Sequence, residues 1–527
     1  MTDKDTTMKI RMLCAALLIL PAIAVAGVNS KNGNFFISYQ DITQKSGENE
    51  LNLSRTYNSK STASGWFGYG WGTPFETRMT VMPDGSVVVR EHGTGQINHY
   101  APKGGNNLQA GVDKIVAVAS QRDGLVPEAA ETLRNRLLVD ADLRRAKVLQ
   151  YGIQTQLQIG GTAQSSACAG AIVTRSDEEY RRATCVGGLD YFDLAGRLIR
   201  QEEDGYKLTI HYAGKNPDRI EDSLGQKLFL KWTPAGRVAE ARTEKAAPVI
   251  TYSYDARENL LLSNEIGGNF YRYGYDGNHN MTRIGYIDNT HMDMEYDVKG
   301  LITSVTGTDG AKTTYSYRYD PDNPSLHYWT TITRISASGE KSSREDEFLL
   351  ATDAAGIEKV TGMSMTVGER RQDVVLDERG RVKRVRKPDG GFAEYTYHPT
   401  LGKVSAVLTD EGRTDFQYND AGDLVRAKNS HGQLIELEYD GSRRIFGILE
   451  TNQKESTRRE LIFLYDSNSK PIRISLIGIG EILIEYDPKG EIARVESKQG
   501  AKMVLQVTNV FQKLLEVVKV GGVDLRM

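Results

Sequence analysis

A chain of 527 residues is long enough for several domains or one large repeat array. Hydrophobic residues make up 39% and charged residues 26% of it, as in an ordinary folded protein, and a net charge of −3 gives no reason to expect nucleic acid or an anionic membrane as a partner. Tyrosine is twice as frequent as phenylalanine, 26 against 13, and the 52 glycines favour strands joined by tight turns.

The first 26 residues have the layout of a secretory signal peptide. A short basic start precedes an apolar run from about Met12 to Val25, and Ala24-Val25-Ala26 forms a small-residue cleavage site. The run is too short for an ordinary membrane span, and no later stretch of the sequence could cross a membrane. We therefore expect cleavage after Ala26 and a secreted or periplasmic protein with no membrane span after signal removal.

Residues 106–188 predict an insertion with two helices, both within residues 108–152. Pro127 suits the first turn of a helix, and Glu128 and Glu131 suit its positive end. Apolar residues such as Leu133 and Leu137 roughly follow one stripe. Two interpretations remain open: a plug or partner-binding arm, and a helical insertion packed on a sheet.

Two cysteines remain once the signal is removed. Cys168 and Cys185 are separated by a short segment, and an oxidising compartment favours a disulfide between them. The alternative is a pair of free, buried thiols. No histidine lies between or beside them, so they predict no zinc site.

An aromatic residue returns at a nearly fixed interval between residues 189 and 495. Most steps measure 20 to 23 residues, and one exception carries an insertion around "PDNPSLHYWT". Self-similarity at such a period indicates a repeat architecture, here of fourteen units, followed by a C-terminal strand or tail over residues 496–527. The aligned positions are Phe192, Tyr212, Trp232, Tyr254, Tyr275, Tyr296, Tyr319, Thr352, Leu376, Tyr397, Tyr418, Tyr439, Tyr465 and Tyr486.

Each unit is predicted to contain two strands. Residues alternate before the aromatic, as at Tyr271, Tyr273 and Tyr275, and a period of two indicates a strand. Asp-x-x-Gly then suits a type I turn closed by a left-handed residue, so fourteen units predict about 28 antiparallel strands. The signature is clearest at Tyr254, Asp255, Tyr275, Asp276, Tyr296, Asp297, Tyr439, Asp440, Tyr465, Asp466, Tyr486 and Asp487.

The aspartates of this signature have two interpretations. They could form a row of metal ligands or catalytic acids, or they could cap the turns that follow the strands. Turn chemistry accounts for an aspartate at the first position without any ligand or substrate. We therefore interpret them as turn residues.

Several of these units resemble the repeats of RHS proteins, also called YD-repeat proteins. The resemblance rests on "FDLAGRLI" at 192–199, "YDARENLL" at 254–261, "YDVKGLIT" at 296–303, "LDERGRVK" at 376–383 and "YNDAGDLVRA" at 418–427. Residues 27–105 resemble the segment that precedes the repeats in that family, through "NGNFFISYQDI", "LNLSRTYNS" at 51–59, "FGYGW" at 67–71 and "DGSVVV" at 84–89.

The resemblance implies a mainly β fold, in which the antiparallel sheet of residues 189–495 spirals into a complete or incomplete hollow shell. Related shells occur in bacterial toxin complexes and in teneurins, and members of the family enclose a cargo, often a toxic C-terminal domain of the same chain. Here we expect the C-terminal core and toxin domain to be lacking, because the sequence ends soon after the repeats.

No catalytic constellation stands out in the sequence. It contains no Gly-x-Ser-x-Gly, His-Glu-x-x-His or P-loop motif, and its eight histidines are scattered. Carboxylate pairs of the glycosidase kind remain open, because strands can bring distant residues together. We expect no enzyme activity, cofactor or metal, and predict a scaffold that binds or encloses another polypeptide or a cell-surface glycan. The alternative is a carrier remnant or partner of a polymorphic toxin system in interbacterial competition.

Overall fold

The computed structural model describes residues 25–46, 49–165, 170–185, 187–203, 205–244, 249–264, 270–354, 356–454, 456–466, 470–486 and 492–519. The predicted mainly β fold is confirmed: these residues form antiparallel strands, and strands that are consecutive in the repeats are neighbours in the sheet. Residues 1–24 of the predicted signal peptide, together with Cys168 and Asp487, lie outside the described residues.

The N-terminal segment contributes a small sheet and three further strands. Strands β1, β2, β3 and β6 form a four-stranded sheet, whereas β7, β8 and β9 pair with one another and belong to the sheet of the repeats. Strands β4 and β5 form a two-stranded sheet of their own, so the described strands of residues 27–105 lie in three sheets. Its strands are β1 (Val25–Asn29), β2 (Asn34–Ser46), β3 (Asn49–Asn58), β4 (Ser64–Gly65), β5 (Gly68–Tyr69), β6 (Trp71–Gly72), β7 (Arg78–Val81), β8 (Val87–Arg90) and β9 (Ile97–Pro102).

The insertion contains three helices, not the two predicted: α1 (Leu108–Asp123), α2 (Pro127–Val139) and α3 (Ala141–Tyr151). The prediction was wrong because Asp140 divides the second helical stretch. Asp140 is extended, and its side chain accepts a hydrogen bond from the Leu143 N–H, which makes it the N-cap of a new helix. The helices pack on β8 through Val88, Val112 and Leu137. Strands β10 (Thr162–Ser165), β11 (Ile172–Arg175) and β12 (Glu179–Ala183) follow.

The repeats supply 28 of the described strands, two for each of fourteen units. They are β13 (Leu189–Asp193), β14 (Leu198–Glu203), β15 (Tyr206–Ala213), β16 (Asn216–Asp222), β17 (Lys227–Trp232), β18 (Val238–Thr243), β19 (Val249–Tyr254), β20 (Leu260–Asn264), β21 (Phe270–Tyr275), β22 (Met281–Gly285), β23 (His291–Tyr296), β24 (Ile302–Thr306), β25 (Lys312–Tyr319), β26 (His327–Ile335), β27 (Lys341–Thr352), β28 (Glu358–Val367), β29 (Arg370–Leu376), β30 (Val382–Arg386), β31 (Phe392–Tyr397), β32 (Val404–Thr409), β33 (Gly412–Tyr418), β34 (Leu424–Asn429), β35 (Gln433–Tyr439), β36 (Ile445–Asn452), β37 (Thr457–Tyr465), β38 (Pro471–Leu476), β39 (Gly480–Tyr486) and β40 (Ile492–Glu496).

A β-bulge accompanies the signature aromatic in most units. In β19 and β20, Ser253 pairs with Leu262 but Tyr254 pairs with Leu260, so Leu261 is the extra residue. Leu260 is fully buried while Leu261 is exposed. The extra residue of the bulge shifts the alternation of inward-facing and outward-facing side chains by one position. The simple alternation of the sequence does not show this shift.

The chain divides into two compact units. Unit 1 comprises Met1–Ala163, Ile172–Arg318 and Thr330–Ser343; unit 2 comprises Gln164–Ala171, Tyr319–Trp329 and Arg344–Met527. In unit 1 the four-stranded N-terminal sheet packs on the buried face of the repeats, where Trp71 and Tyr39 contact Tyr273 at ring-centroid distances of 5.3 and 6.0 Å.

Unit 2 ends in a helix where a strand or tail was predicted. Helix α4 (Ala501–Lys519) lays Val507 and Phe511 on the apolar face of the repeats, and the Phe511 ring lies 5.7 Å from that of Phe463. Apolar residues recur here at helical spacing, at Val504, Val507 and Phe511. A helix with this spacing is stabilised when its apolar side packs on the apolar face of the sheet. No helix in the described part of the chain is long and apolar enough to cross a membrane.

Candidate functional site

The signature aspartates hold the turns by accepting backbone hydrogen bonds. Asp297 Oδ1 accepts from the N–H groups of Lys299 and Leu301 at 2.8 and 2.9 Å. Gly300 closes the turn at a φ of +70°, a conformation that favours glycine. Asn419 occupies the same position in its unit, and its Oδ1 likewise accepts from the Asp423 N–H at 2.8 Å. Oδ1 of the signature residue is thus oriented toward its own turn.

In several units the residue after the turn links one unit to the next. Arg444 Nε donates to Asp440 Oδ2 at 2.7 Å, and the same guanidinium lies 4.7 Å from the ring centroid of Tyr465. Arg197 and Arg381 repeat this arrangement, each between its own aspartate and the next aromatic. The hydrogen bond from Arg444, the first of several, holds the pKa of Asp440 below its usual value. This geometry accounts for the Tyr-Asp-x-x-Gly-Arg pattern by contacts within the fold.

Seven of the signature tyrosines bind the backbone of the preceding unit. Each hydroxyl donates to the carbonyl of the residue that opens the second strand of that unit, over 2.7 to 3.0 Å. Burial raises the pKa of Tyr418 to about 12, which keeps the hydroxyl protonated as a donor. The pairs are Tyr212–Leu198, Tyr254–Val238, Tyr397–Val382, Tyr418–Val404, Tyr439–Leu424, Tyr465–Ile445 and Tyr486–Pro471.

Two signature tyrosines depart from this rule where the N-terminal sheet intervenes. The Tyr275 hydroxyl accepts from Trp71 Nε1 at 3.0 Å. Tyr57 reaches the strand that Tyr296 would bind: it accepts from the Met281 N–H at 2.9 Å and donates to the His279 carbonyl at 3.0 Å. The buried Tyr296 hydroxyl has no hydrogen-bond partner among the described residues.

A buried ion pair fixes the N-terminal sheet to the repeats. The side chains of Asp41 and Arg55 are both 0% exposed, and Arg55 Nε donates to Asp41 Oδ2 at 2.8 Å. Arg55 also donates to the Tyr273 hydroxyl and to Ser263 Oγ, each at 2.9 Å, and Tyr252 donates to Asp41 Oδ2 at 2.6 Å. Burial raises the pKa of Tyr273 to about 12. Asp41 and Arg55 lie in "ISYQDI" and "LSRTY", and the sequence predicted no role for either residue.

A groove crosses β27 to β30 in unit 2. Leu349, Gly362 and Val375 stand opposite one another on adjacent strands and share one face of the sheet. Leu349 is 42% and Val375 43% exposed, and the glycine between them leaves a notch. We call the resulting cavity of about 340 Å³ the groove; its lining residues are Leu349, Gly362, Met363, Ser364, Arg371, Asp373, Val374, Val375, Arg384 and Arg386.

A polar row runs beside the apolar floor of the groove. Arg371 donates to Glu347 at 2.6 Å, to Asp373 at 2.7 Å and to Ser364 Oγ at 2.8 Å. Burial alone would raise the pKa of Asp373, but hydrogen bonds from Ser364 and Arg371 outweigh burial and lower it. Arg384 lies 3.4 Å from Glu394, so positive and negative groups are balanced around the floor. Such a surface favours a ligand with apolar and hydrogen-bonding parts over a highly charged one.

Little in the sequence pointed to the groove. Its residues come from four strands, and only the strand register brings them together. The insertion around "PDNPSLHYWT" did mark a break in the period beside it, but no role followed from that break. In the described residues no group of three or more histidine, cysteine, aspartate or glutamate side chains is arranged to hold a metal ion. Cys185 is exposed, and its pairing with Cys168 stays a prediction.

Comparison with known proteins places two segments of the chain. Residues 219–323 match the family model described as Teneurin YD-shell, and residues 26–97 match a Domain of unknown function (DUF6531). The "tRNA3(Ser)-specific nuclease WapA" of Bacillus spizizenii and the "tRNA nuclease WapA" of Bacillus subtilis are each 22% identical over 331 residues. Each match covers 56% of this chain and 13% of the relative, so the chain spans about an eighth of the relatives' length.

Solved structures of toxin complexes are also similar. The chain is 11% identical to one in "Crystal Structure of TcdB2-TccC3-Cdc42", with a TM-score of 0.33. The alignment covers 87% of this chain and 24% of that one. A Photorhabdus luminescens Tc holotoxin pore is 11% identical with a TM-score of 0.32 and covers 88% of this chain and 26% of that one. The matching Teneurin YD-shell segment lies within the repeats whose turns and tyrosines are described above. The match to the Teneurin YD-shell model supports the resemblance of the repeats to RHS, or YD-repeat, proteins.

Proposed function

We propose that the chain is a non-enzymatic scaffold and that its groove binds a polypeptide segment of a partner protein. The observation that carries this proposal is the exposed pair Leu349 and Val375 on either side of Gly362. Such a notch accommodates one apolar side chain of a partner, and the arginines beside it can donate to backbone carbonyls. The signature residues support a scaffold, because their polar atoms are engaged in turns and in contacts between units.

A cell-surface glycan is the other ligand that the sequence left open. Sugar rings are commonly held against aromatic side chains, yet none of the ten described lining residues of the groove is aromatic. The groove therefore favours the polypeptide.

Site-specific photo-crosslinking in cells that naturally make the protein tests the proposal. A benzophenone side chain in place of Val375 should capture a polypeptide, and one in place of Val367 should not. Val367 is the matched control because it is also an exposed valine of unit 2, at 49%, but lies outside the groove. Gly362→Val should reduce the captured band, since it fills the notch without meeting any atom closer than 3.4 Å at its Cβ. Equal bands at both positions, or a band insensitive to Gly362→Val, would contradict the proposal.

As a second candidate, we propose a role as carrier or partner in a toxin system. It is favoured by the similarity of the chain to relatives named as tRNA nucleases. One assay tests the non-enzymatic part of both candidates: the full chain should leave tRNA intact, and cleavage would show that the chain itself carries nuclease activity.

Export is part of the proposed function. Cleavage after Ala26 would remove the pairs that Val25 and Ala26 make with β2 and would leave those of Gly27–Asn29. N-terminal sequencing of the exported protein should therefore begin at Gly27. Recovery of residues 1–26 in that protein would refute the proposed signal peptide.

A further inference from the structure

The loop between β25 and β26 is built around one carboxylate. It contains residues 320–326, of which 321–325 are exposed, and it makes the longest departure from the repeat period in unit 2. Asp320 Oδ1 accepts from the N–H groups of Asp322 and Asn323 at 2.9 and 3.3 Å, and the Asp320 N–H donates to the His327 carbonyl at 3.0 Å. The loop is therefore held at its base.

Both ring nitrogens of His327 face carboxylates. Nδ1 lies 2.9 Å from Asp320 Oδ2, and Nε2 lies 2.8 Å from Glu347 Oε1. A neutral imidazole has one N–H and can donate to only one of these groups, so the two contacts together require the imidazolium. The ring also packs on Trp329 at 4.1 Å, and the side chain is 23% exposed, which leaves a path for protons.

The remaining charges around His327 keep Glu347 ionised. Arg371 on β29 donates to Glu347 Oε2 at 2.6 Å and to Asp373 Oδ1 at 2.7 Å. The charged groups that face the ring are thus Asp320 from the loop and Glu347 from β27, with Arg371 and Asp373 behind Glu347. When the imidazolium loses a proton, Glu347 stays paired with Arg371, and the contact between His327 and Asp320 of the loop is released.

We propose that His327 is a proton-operated latch, which as an imidazolium ties the loop of residues 320–326 to β27 beside the groove and on deprotonation releases that loop. The latch needs no ligand in the groove, so it goes beyond the proposed function. The partners of His327 set the direction in which pH acts. The hydrogen bond to Glu347 is the largest cause that raises the pKa of His327 above its usual value, and the hydrogen bond to Asp320 raises it further. The latch is fully closed below a pH of about 6.5, the usual histidine value, and opens as the pH rises through the raised pKa.

Hydrogen–deuterium exchange of the peptide that covers residues 320–328 tests the latch in the full chain. After correction for intrinsic rates, loop amides of the parent protein should exchange about tenfold faster at pH 9 than at pH 6, the change expected on losing one charged hydrogen bond. In His327→Gln the loop should exchange rapidly at both pH values. In Glu347→Gln the protected form should be lost at a lower pH than in the parent, because one carboxylate no longer supports the imidazolium.

His431→Gln is the matched control, because His431 is an exposed histidine of the same unit. It should leave the exchange of the loop unchanged at both pH values. The proposal is overturned if the parent loop is equally protected at pH 6 and pH 9, if His327→Gln exchanges like the parent, or if His431→Gln has the same effect as His327→Gln.

Discussion

A signature aspartate has two separable tasks in this fold. Its Oδ1 caps the turn, a task that asparagine can also perform, as Asn419 does. Its Oδ2 pairs with the residue after the turn only where that residue is a donor such as Arg197. At Asp297 the residue in that place is Leu301, so only the capping task exists. The effect of a substitution should therefore depend on the unit in which it is made.

Asp193→Asn and Asp297→Asn provide a matched test within unit 1. Asp193→Asn loses the 2.7 Å ion pair with Arg197, which is partly exposed, and should cost about 0.5–1 kcal/mol. Asp297→Asn keeps both backbone hydrogen bonds and should change the free energy of unfolding by less than about 0.5 kcal/mol. Urea unfolding followed by tryptophan fluorescence reports on this unit, because Trp66, Trp71 and Trp232 all lie in it. A large loss in Asp297→Asn would show that the carboxylate has a role beyond the turn.

Glu76 should make the stability of unit 1 depend on pH. Its carboxylate accepts from the N–H groups of Trp66 and Thr73, yet burial, the largest cause, raises its pKa to about 7. Because ionisation is then easier in the unfolded chain, the free energy of unfolding should fall by about 3 kcal/mol between pH 4.5 and pH 7.

Glu76→Gln should abolish that fall while weakening the protein at low pH, since the amide can accept only one of the two hydrogen bonds. Glu128→Gln, on the exposed side of α2, is the control and should retain the slope of the parent. Urea unfolding at the two pH values measures both. The same slope in Glu76→Gln as in the parent would assign the pH dependence to another group.

The four-stranded N-terminal sheet packs on the strands of the repeats, and the centre of this interface is polar. A bulge between Gln40 and Ile42 in β2 turns Asp41 inward, where Arg55 of β3 and the hydroxyls of Tyr252 and Tyr273 complete its surroundings. A buried ion pair whose atoms are all bonded contributes little net stability, but breaking it leaves an uncompensated charge. The sheet should therefore tolerate loss of the whole pair better than loss of one partner.

A double-mutant cycle tests this contact. Arg55→Met should destabilise unit 1 by about 3–5 kcal/mol, and Asp41→Leu with Arg55→Met should cost clearly less than the two single changes added together. Lys45→Met is the control: Lys45 pairs with Glu50 across the same two strands but is 69% exposed, and its loss should cost less than about 0.5 kcal/mol. Additive single effects at Asp41 and Arg55 would mean that the two charges do not depend on each other.

Some elements were predictable from the sequence and others were not. The difference is how far apart in the sequence the residues lie whose interactions stabilise each element. Each two-stranded unit was predictable, because alternation and Asp-x-x-Gly turns act within a few residues. The break at Asp140 was missed although its N-cap signal is local, since the stripe through Leu137 continues beyond it. Helix α4 was missed because its apolar side gains stability only against the distant strands that carry residues such as Phe463.

At the scale of the whole molecule, one bond type recurs along the repeats. In seven units the hydroxyl of the signature tyrosine donates to the carbonyl that opens the second strand of the unit before it, so each of these units is tied to its neighbour in the chain. The period of the aromatics predicted that these positions are equivalent. The groove, the buried ion pair and the latch at His327 were not predictable, because strand register and packing between distant segments create them.

The free energy of unfolding of Tyr254→Phe, with Tyr296→Phe as its control, tests most directly that the signature holds successive units together. Both tyrosines are half-buried in unit 1, but the Tyr254 hydroxyl donates to the Val238 carbonyl at 2.7 Å while the Tyr296 hydroxyl has no described partner. Tyr254→Phe should cost about 1 kcal/mol, and Tyr296→Phe should be neutral or stabilising. If the two substitutions have equal effects on urea unfolding, the hydrogen bond between units is not what the signature tyrosine contributes.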